Sequence, residues 1–167
     1  MTPTALKDLI QACVQALSDN RQGTGDYPVE FIYGRVQEAY IDKLEEKYVN
    51  GLKNAVVFFE YRPFEEMGID EYSGAQEHKV RMHFMKSHKD DARADANIQI
   101  QTEMYNLYLD FMAVLNGNNT TNLSEANKSL LYTIKAERTG WQMFDRASNL
   151  TAGIIANMTI TTKFCRQ

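Results

Sequence analysis

The run Leu150 to Cys165, LTAGIIANMTITTKFC, decides the fold. Ile154, Ala156, Met158 and Ile160 occupy alternate positions, with Asn157, Thr159, Thr161 and Lys163 between them. An extended chain therefore carries an apolar and a polar face, the pattern of a half-buried strand. A helix would scatter the threonines around its axis and place β-branched residues where their χ1 freedom is lost, so period two prevails.

Working upstream, Thr139 to Asn149 holds the only tryptophan, Trp141, and is expected to turn the chain into the terminal strand. Leu130, Tyr132, Ile134 and Ala136 alternate with Leu131, Thr133, Lys135 and Glu137, predicting another strand. Before it, residues 116–127 (NGNNTTNLSEAN) form a turn-rich loop. The longest helical pattern runs from about Ala92 to Leu115. Ile100, Met104, Leu107, Tyr108, Phe111 and Leu115 make one stripe, which Tyr105, Leu109 and Met112 widen enough to cover a sheet. Asp90, Asp91 and Asp95 suit the start of that helix through its dipole.

Residues 77–86 alternate Val80, Met82 and Phe84 with Lys79, Arg81 and His83, while 54–61 (NAVVFFEY) is a short apolar run. They predict two strands paired across the long acidic loop 62–76. Residues 29–34 (VEFIYG) fit a short strand or the lead-in to a helical piece, and Gln37 to Tyr48 has the composition of a helix. At the start, Thr2 and Pro3 suit a cap and a first turn, and Leu6, Leu9, Ile10, Cys13, Val14 and Leu17 give an amphipathic helix ending near Asn20. A loop, 21–28, follows. The expectation is α+β: one antiparallel four-stranded sheet packed against one long helix and N-terminal helices, a single domain over 1–167.

With 167 residues and 44% hydrophobic content the chain is sized for one core. A net charge of −4 argues against a dedicated nucleic-acid binder. Cys13 and Cys165 have no metal or disulfide spacing, and no run approaches the roughly 18 apolar residues of a spanning helix. Synthesis in the cytoplasm is the simpler expectation. Asn-x-Ser/Thr triplets, at Asn118, Asn119, Asn122, Asn127, Asn149 and Asn157, then reflect an Asn- and Thr-rich composition.

His78, His83 and His88 recur at five-residue spacing, but a strand sends the first two to opposite faces. They are therefore expected as surface or partly packed rings and not as metal ligands. Glu65, Glu66, Asp70 and Glu71 offer oxygens that hard cations prefer without the spacing of a calcium loop, so a solvated or partner-contacting loop is the plainer expectation. Gly23-Thr24-Gly25 lacks the rest of a phosphate loop, Ser87 and Ser148 sit in no nucleophile elbow, and Cys165 has no histidine near it in sequence. No catalytic residue, metal or cofactor is assigned. The long polar loops 62–76 and 116–127 point instead to contact with other chains.

The order of elements, with Phe31-Ile32-Tyr33-Gly34 early and Asp145-Arg146-Ala147-Ser148-Asn149-Leu150-Thr151-Ala152-Gly153 before the last strand, resembles the tail terminator and related neck proteins of tailed bacteriophages. That resemblance implies a non-enzymatic virion protein of the head-to-tail junction. Its subunits would form a ring, usually a hexamer, between the tail tube and the connector or portal-side proteins, with DNA passing through unbound. The helical stretch 37–48 departs from the pattern. Independently of the resemblance, acidic Glu65, Glu66, Asp70 and Glu71 complement Lys86, Lys89 and Arg93 of a neighbouring copy, as a heterologous ring contact requires. Two rivals stand beside it: a small cytosolic binding module that recognises a peptide or small molecule through its loops, and a hydrolase or transferase assembled from His83, Asp110 and Cys165.

Overall fold

The computed structural model describes residues 1–34, 54–60, 68–70, 75–87, 94–146 and 151–163. Chain order is α1 (Pro3–Gly23), β1 (Val29–Gly34), β2 (Ala55–Glu60), β3 (Gly68–Asp70), β4 (Ala75–Ser87), α2 (Ala94–Leu115), α3 (Glu125–Leu131), β5 (Ile134–Arg146) and β6 (Thr151–Lys163). The fold is α+β. The predicted helix 37–48 lies outside the described residues.

Thr2 accepts a hydrogen bond from Ala5 N at 3.2 Å and caps α1, with proline in the first turn as expected. The helix runs past Asn20 to Gly23, and Gly25, at φ +83°, supplies the left-handed residue that lets the chain leave it.

The sheet differs from four antiparallel strands. Its order is β1-β2-β4-β6-β5, with β3 added to β4, and β1 lies parallel to β2 while the remaining pairs are antiparallel. Residues 35–54 between β1 and β2 exceed the roughly dozen that a parallel crossover requires. Residues 62–76 are not wholly loop, because β3 pairs there with the start of β4. Leu130 and Leu131 close the short helix α3, capped by Ser124, so the next strand begins only at Ile134. It then continues to Arg146 and carries Trp141 inside the ladder and not in a turn, with a bulge between Arg138 and Gly140.

The terminal strand behaves as its alternation predicts. Ile154, Ala156, Met158 and Ile160 are buried in the layer beneath the helices. Val57, Phe59, Val80, Met82 and Phe84 join them from β2 and β4. From above, α1 contributes Leu9, Ile10, Cys13 and Leu17, and α2 contributes Met104, Leu107, Tyr108 and Phe111. Phe84 sits at the centre, its ring 5.4 Å from Tyr108 and 5.7 Å from Phe111. At Gly153 the backbone of β4 passes so close that an added Cβ would fall on the Phe84 carbonyl oxygen and 2.9 Å from Met85 Cα. The opposite face of the sheet is buried as well, through Ile32, Val56, Phe58, His83, Met85 and Ile155.

Candidate functional site

Three groupings of side chains are candidates. The first lies where the end of α1 meets α2. Arg21 reaches Asp26 at 3.2 Å and Asp110 at 3.6 Å, and its guanidinium lies 5.1 Å from the Tyr27 ring. On the other side of that ring Lys86 Nζ stands 4.0 Å from the centroid and within 3.2 and 3.3 Å of the two Glu103 oxygens. Partial burial and the nearby Arg21 charge push the Lys86 pKa down, with Asp26 opposing. Burial pushes the Glu103 carboxyl up. Beside this cluster a cleft of about 320 Å³ is lined by Leu17, Asn20, Arg21, Asp110, Asn119 and Thr121, among others. The 116–123 turn is tied to α1 there, since Asn20 donates to the Asn119 carbonyl at 3.0 Å and accepts from Asn122 at 2.8 Å. Every carboxylate of the cluster already faces a cation, and no nucleophile stands beside a base.

The second grouping lies across the sheet. His83 Nε2 and Glu60 Oε2 are 3.0 Å apart, both side chains nearly sealed from solvent, and Arg81 approaches the same oxygen at 4.0 Å while donating to Asn157 Oδ1 at 2.9 Å. His78 is buried on the helix-facing side. Burial lowers its pKa, and the positive Met1 amino group adds to the effect. These two histidines do project to opposite faces, but both are buried where surface or partly packed rings were expected, because each face of β4 is covered. His83 and Asp110 are likewise on opposite sides of the sheet, so the assembled hydrolase or transferase site loses two of its three members, and Cys165 lies outside the described residues. Cys13 is buried, its thiol pushed up to about 12 by desolvation, which makes it a poor nucleophile. Among the described residues no three His, Cys, Asp or Glu groups converge as metal ligands.

The third grouping is a surface. Along the outer strand β5, Trp141 is 45% and Met143 47% exposed, and Ile98 of α2 is 56% exposed. Tyr105 packs its ring 4.7 Å from Trp141, and Gln101 donates to the Phe144 carbonyl at 3.0 Å, so α2 holds β5 in place along one side. Further along the same seam Leu109, Met112, Ala136 and Arg138 line a shallow hollow of about 360 Å³. Trp141 and Met143 stand as alternate exposed apolar residues on one face of the edge strand.

Of the residues expected to join neighbouring copies, Lys86 is engaged with Glu103 of its own chain, and Asp70 closes β3 with its backbone opposite Ala75. Glu65, Glu66, Glu71, Lys89 and Arg93 lie outside the described residues. Sequence reasoning did not find the Trp141–Met143 surface, because it placed that segment in a turn. It also did not pair Glu60 with His83, for which the one available signal was a lone carboxylate ending the apolar run 55–60. No described helix is long and apolar enough to cross a membrane. A scan against protein-family models finds no match to the chain, and a search of curated proteins finds none.

Proposed function

We propose that this chain is a non-enzymatic structural protein of the tailed-phage head-to-tail junction, a terminator-like subunit whose copies form a ring that caps or connects the tail tube. The observation that carries this reading is the exposed side of β5, where 13 residues of edge strand bear the exposed Trp141 and Met143. The edge carries a bulge and the charged Lys135, Glu137 and Arg138, which hinder indiscriminate pairing, while the apolar Trp141 and Met143 left exposed in its second half offer a contact to a matching chain. A sheet with helices packed on it also agrees with what the resemblance implies. On this reading the protein is made in the host cytoplasm and resides in the virion neck. Its neighbours are the tail-tube protein and a connector or portal-side protein, and DNA crosses the lumen without specific binding. The acidic residues Glu65, Glu66, Asp70 and Glu71 and the basic Lys86, Lys89 and Arg93 remain the proposed subunit contacts, Lys86 acting from its bridge to Glu103.

Native mass spectrometry tests it, on the chain alone and mixed with a phage tail-tube protein. A discrete closed ring of more than two subunits is expected in at least one sample. Reversal of Glu65, Glu66 and Asp70 to lysine should weaken that oligomer while leaving the circular dichroism spectrum unchanged. Nothing larger than a dimer in both samples overturns the reading. The cleft beside Arg21 favours the binding-module alternative, in which the 116–123 turn closes over a small polar ligand; saturable binding there by a monomer would support it.

A further inference from the structure

We infer that β5 is a self-pairing edge, and that two copies of this chain join by aligning their β5 strands antiparallel to extend one sheet across a two-fold axis. The bulge carries the inference. Before it, Ile134, Ala136 and Arg138 lie on the helix-covered face, opposite Thr162, Ile160 and Met158 of β6. After it, Trp141, Met143 and Asp145 lie on that face, opposite Ala156, Ile154 and Ala152. The extra residue, Thr139, shifts the alternation by one, so most self-pairing registers set a residue of one face against a residue of the other. A one-residue slip mis-faces every pair except the one on the axis, and a two-residue slip sets Gly140 against Trp141 or Arg138 against Thr139. One register avoids this: Arg138 opposite Trp141 of the second copy, Ala136 opposite Met143, Ile134 opposite Asp145, and the two bulges facing each other on the axis. On the other face Glu137 then meets Gln142 and Lys135 meets Phe144.

Charge and chemistry agree with that register. None of Lys135, Glu137 and Arg138 faces its own sign, and each Arg138 lies where its guanidinium can cover the Trp141 ring of the other copy. Exposed Trp141 and Met143 become the centre of the contact, with both α2 helices on the same side of the joined sheet and the Tyr105–Trp141 stacks between them. The edge is long enough: 13 residues at roughly 3.4 Å each reach about 44 Å. A strand complementary to its own copy selects that copy over an unrelated extended peptide, and an isologous contact closes after two subunits. The inference uses the same β5 surface as the junction reading but does not rest on that reading: a two-fold pair closes at two subunits, and a ring needs a second, heterologous contact, for which the acidic and basic residues above are proposed.

Sedimentation and cross-linking test it on the full chain. The protein is expected to show a concentration-dependent monomer–dimer equilibrium that Trp141→Lys weakens about tenfold or more, as loss of a central tryptophan anchor does. In a Cys165→Ser background, the double variant Glu137→Cys with Gln142→Cys should oxidise to a covalent dimer. Either single variant should not, because equivalent residues of the two copies would stand about 17 Å apart along the paired strands. A monomer at every concentration, an open-ended aggregate, no cross-link in the double variant, or equal cross-linking in the singles each overturns the inference. A ring without the double-variant cross-link sinks the β5 pairing and spares the junction reading; a cross-linked dimer with no ring does the reverse.

Discussion

Glu60 ends an apolar strand, and the cost of burying its carboxylate is offset by the imidazole of His83 at 3.0 Å. Glu60→Ala leaves that ring without this partner in a sealed layer and should lower stability by about 2 kcal/mol in urea denaturation. His78 acts in the other direction. Its pKa is held below 6.5 in the folded chain by burial, so the unfolded chain takes up the proton first as pH falls. Its contribution to stability is complete above about pH 6.5 and is lost as acidification proceeds through the lowered folded-state pKa. Denaturation midpoints measured across this range should fall, and His78→Gln should flatten that part of the slope. Gly153 is constrained by space: with no room for a Cβ against the Phe84 carbonyl, Gly153→Ala should cost about 3 kcal/mol, read as a lower melting temperature. The opposite facing of His78 and His83 was legible from strand parity alone. Their burial was not, because cover on both faces of a strand is a property of the assembled layers.

Elements differ in how plainly the chain announces them. In α1 and α2 the apolar spacing survives over many turns, and Thr2 with Pro3 marks the first start. Phe111→Ala, which removes a fully buried ring stacked against Phe84, should destabilise the protein by about 3–5 kcal/mol. β6 was equally plain, since its period of two runs without interruption. β5 was not. Its extra residue at Thr139 changes the phase between Ala136 and Trp141, so the alternation breaks in mid-strand and the second half resembles a turn. α3 was missed because Leu130 to Ala136 mimics a strand, although Ser124 accepting from Asn127 N was the capping signal that should have placed a helix there. The surface proposed for self-pairing lay inside the misread half of β5, so the candidate site was hidden by the same phase change.

For the whole molecule, α+β with helices packed on a sheet was legible, while the parallel entry of β1 was not. Strand adjacency in sequence favours hairpins, and nothing in residues 29–34 or 55–60 encodes direction. Assembly belongs to this scale, and its readouts are the closed oligomer and the dimer described above. One further consequence follows from where β6 sits. Of the described strands β6 leaves the ribosome last, yet it is inserted between β4 and β5, with Ala75 opposite Lys163 at one end of the β4–β6 ladder. Until residue 163 has emerged, two sticky flanks wait side by side with their middle missing. Nascent chains arrested before β6 should therefore bind holdase chaperones strongly, and emergence of β6 should be the moment at which that attachment ends.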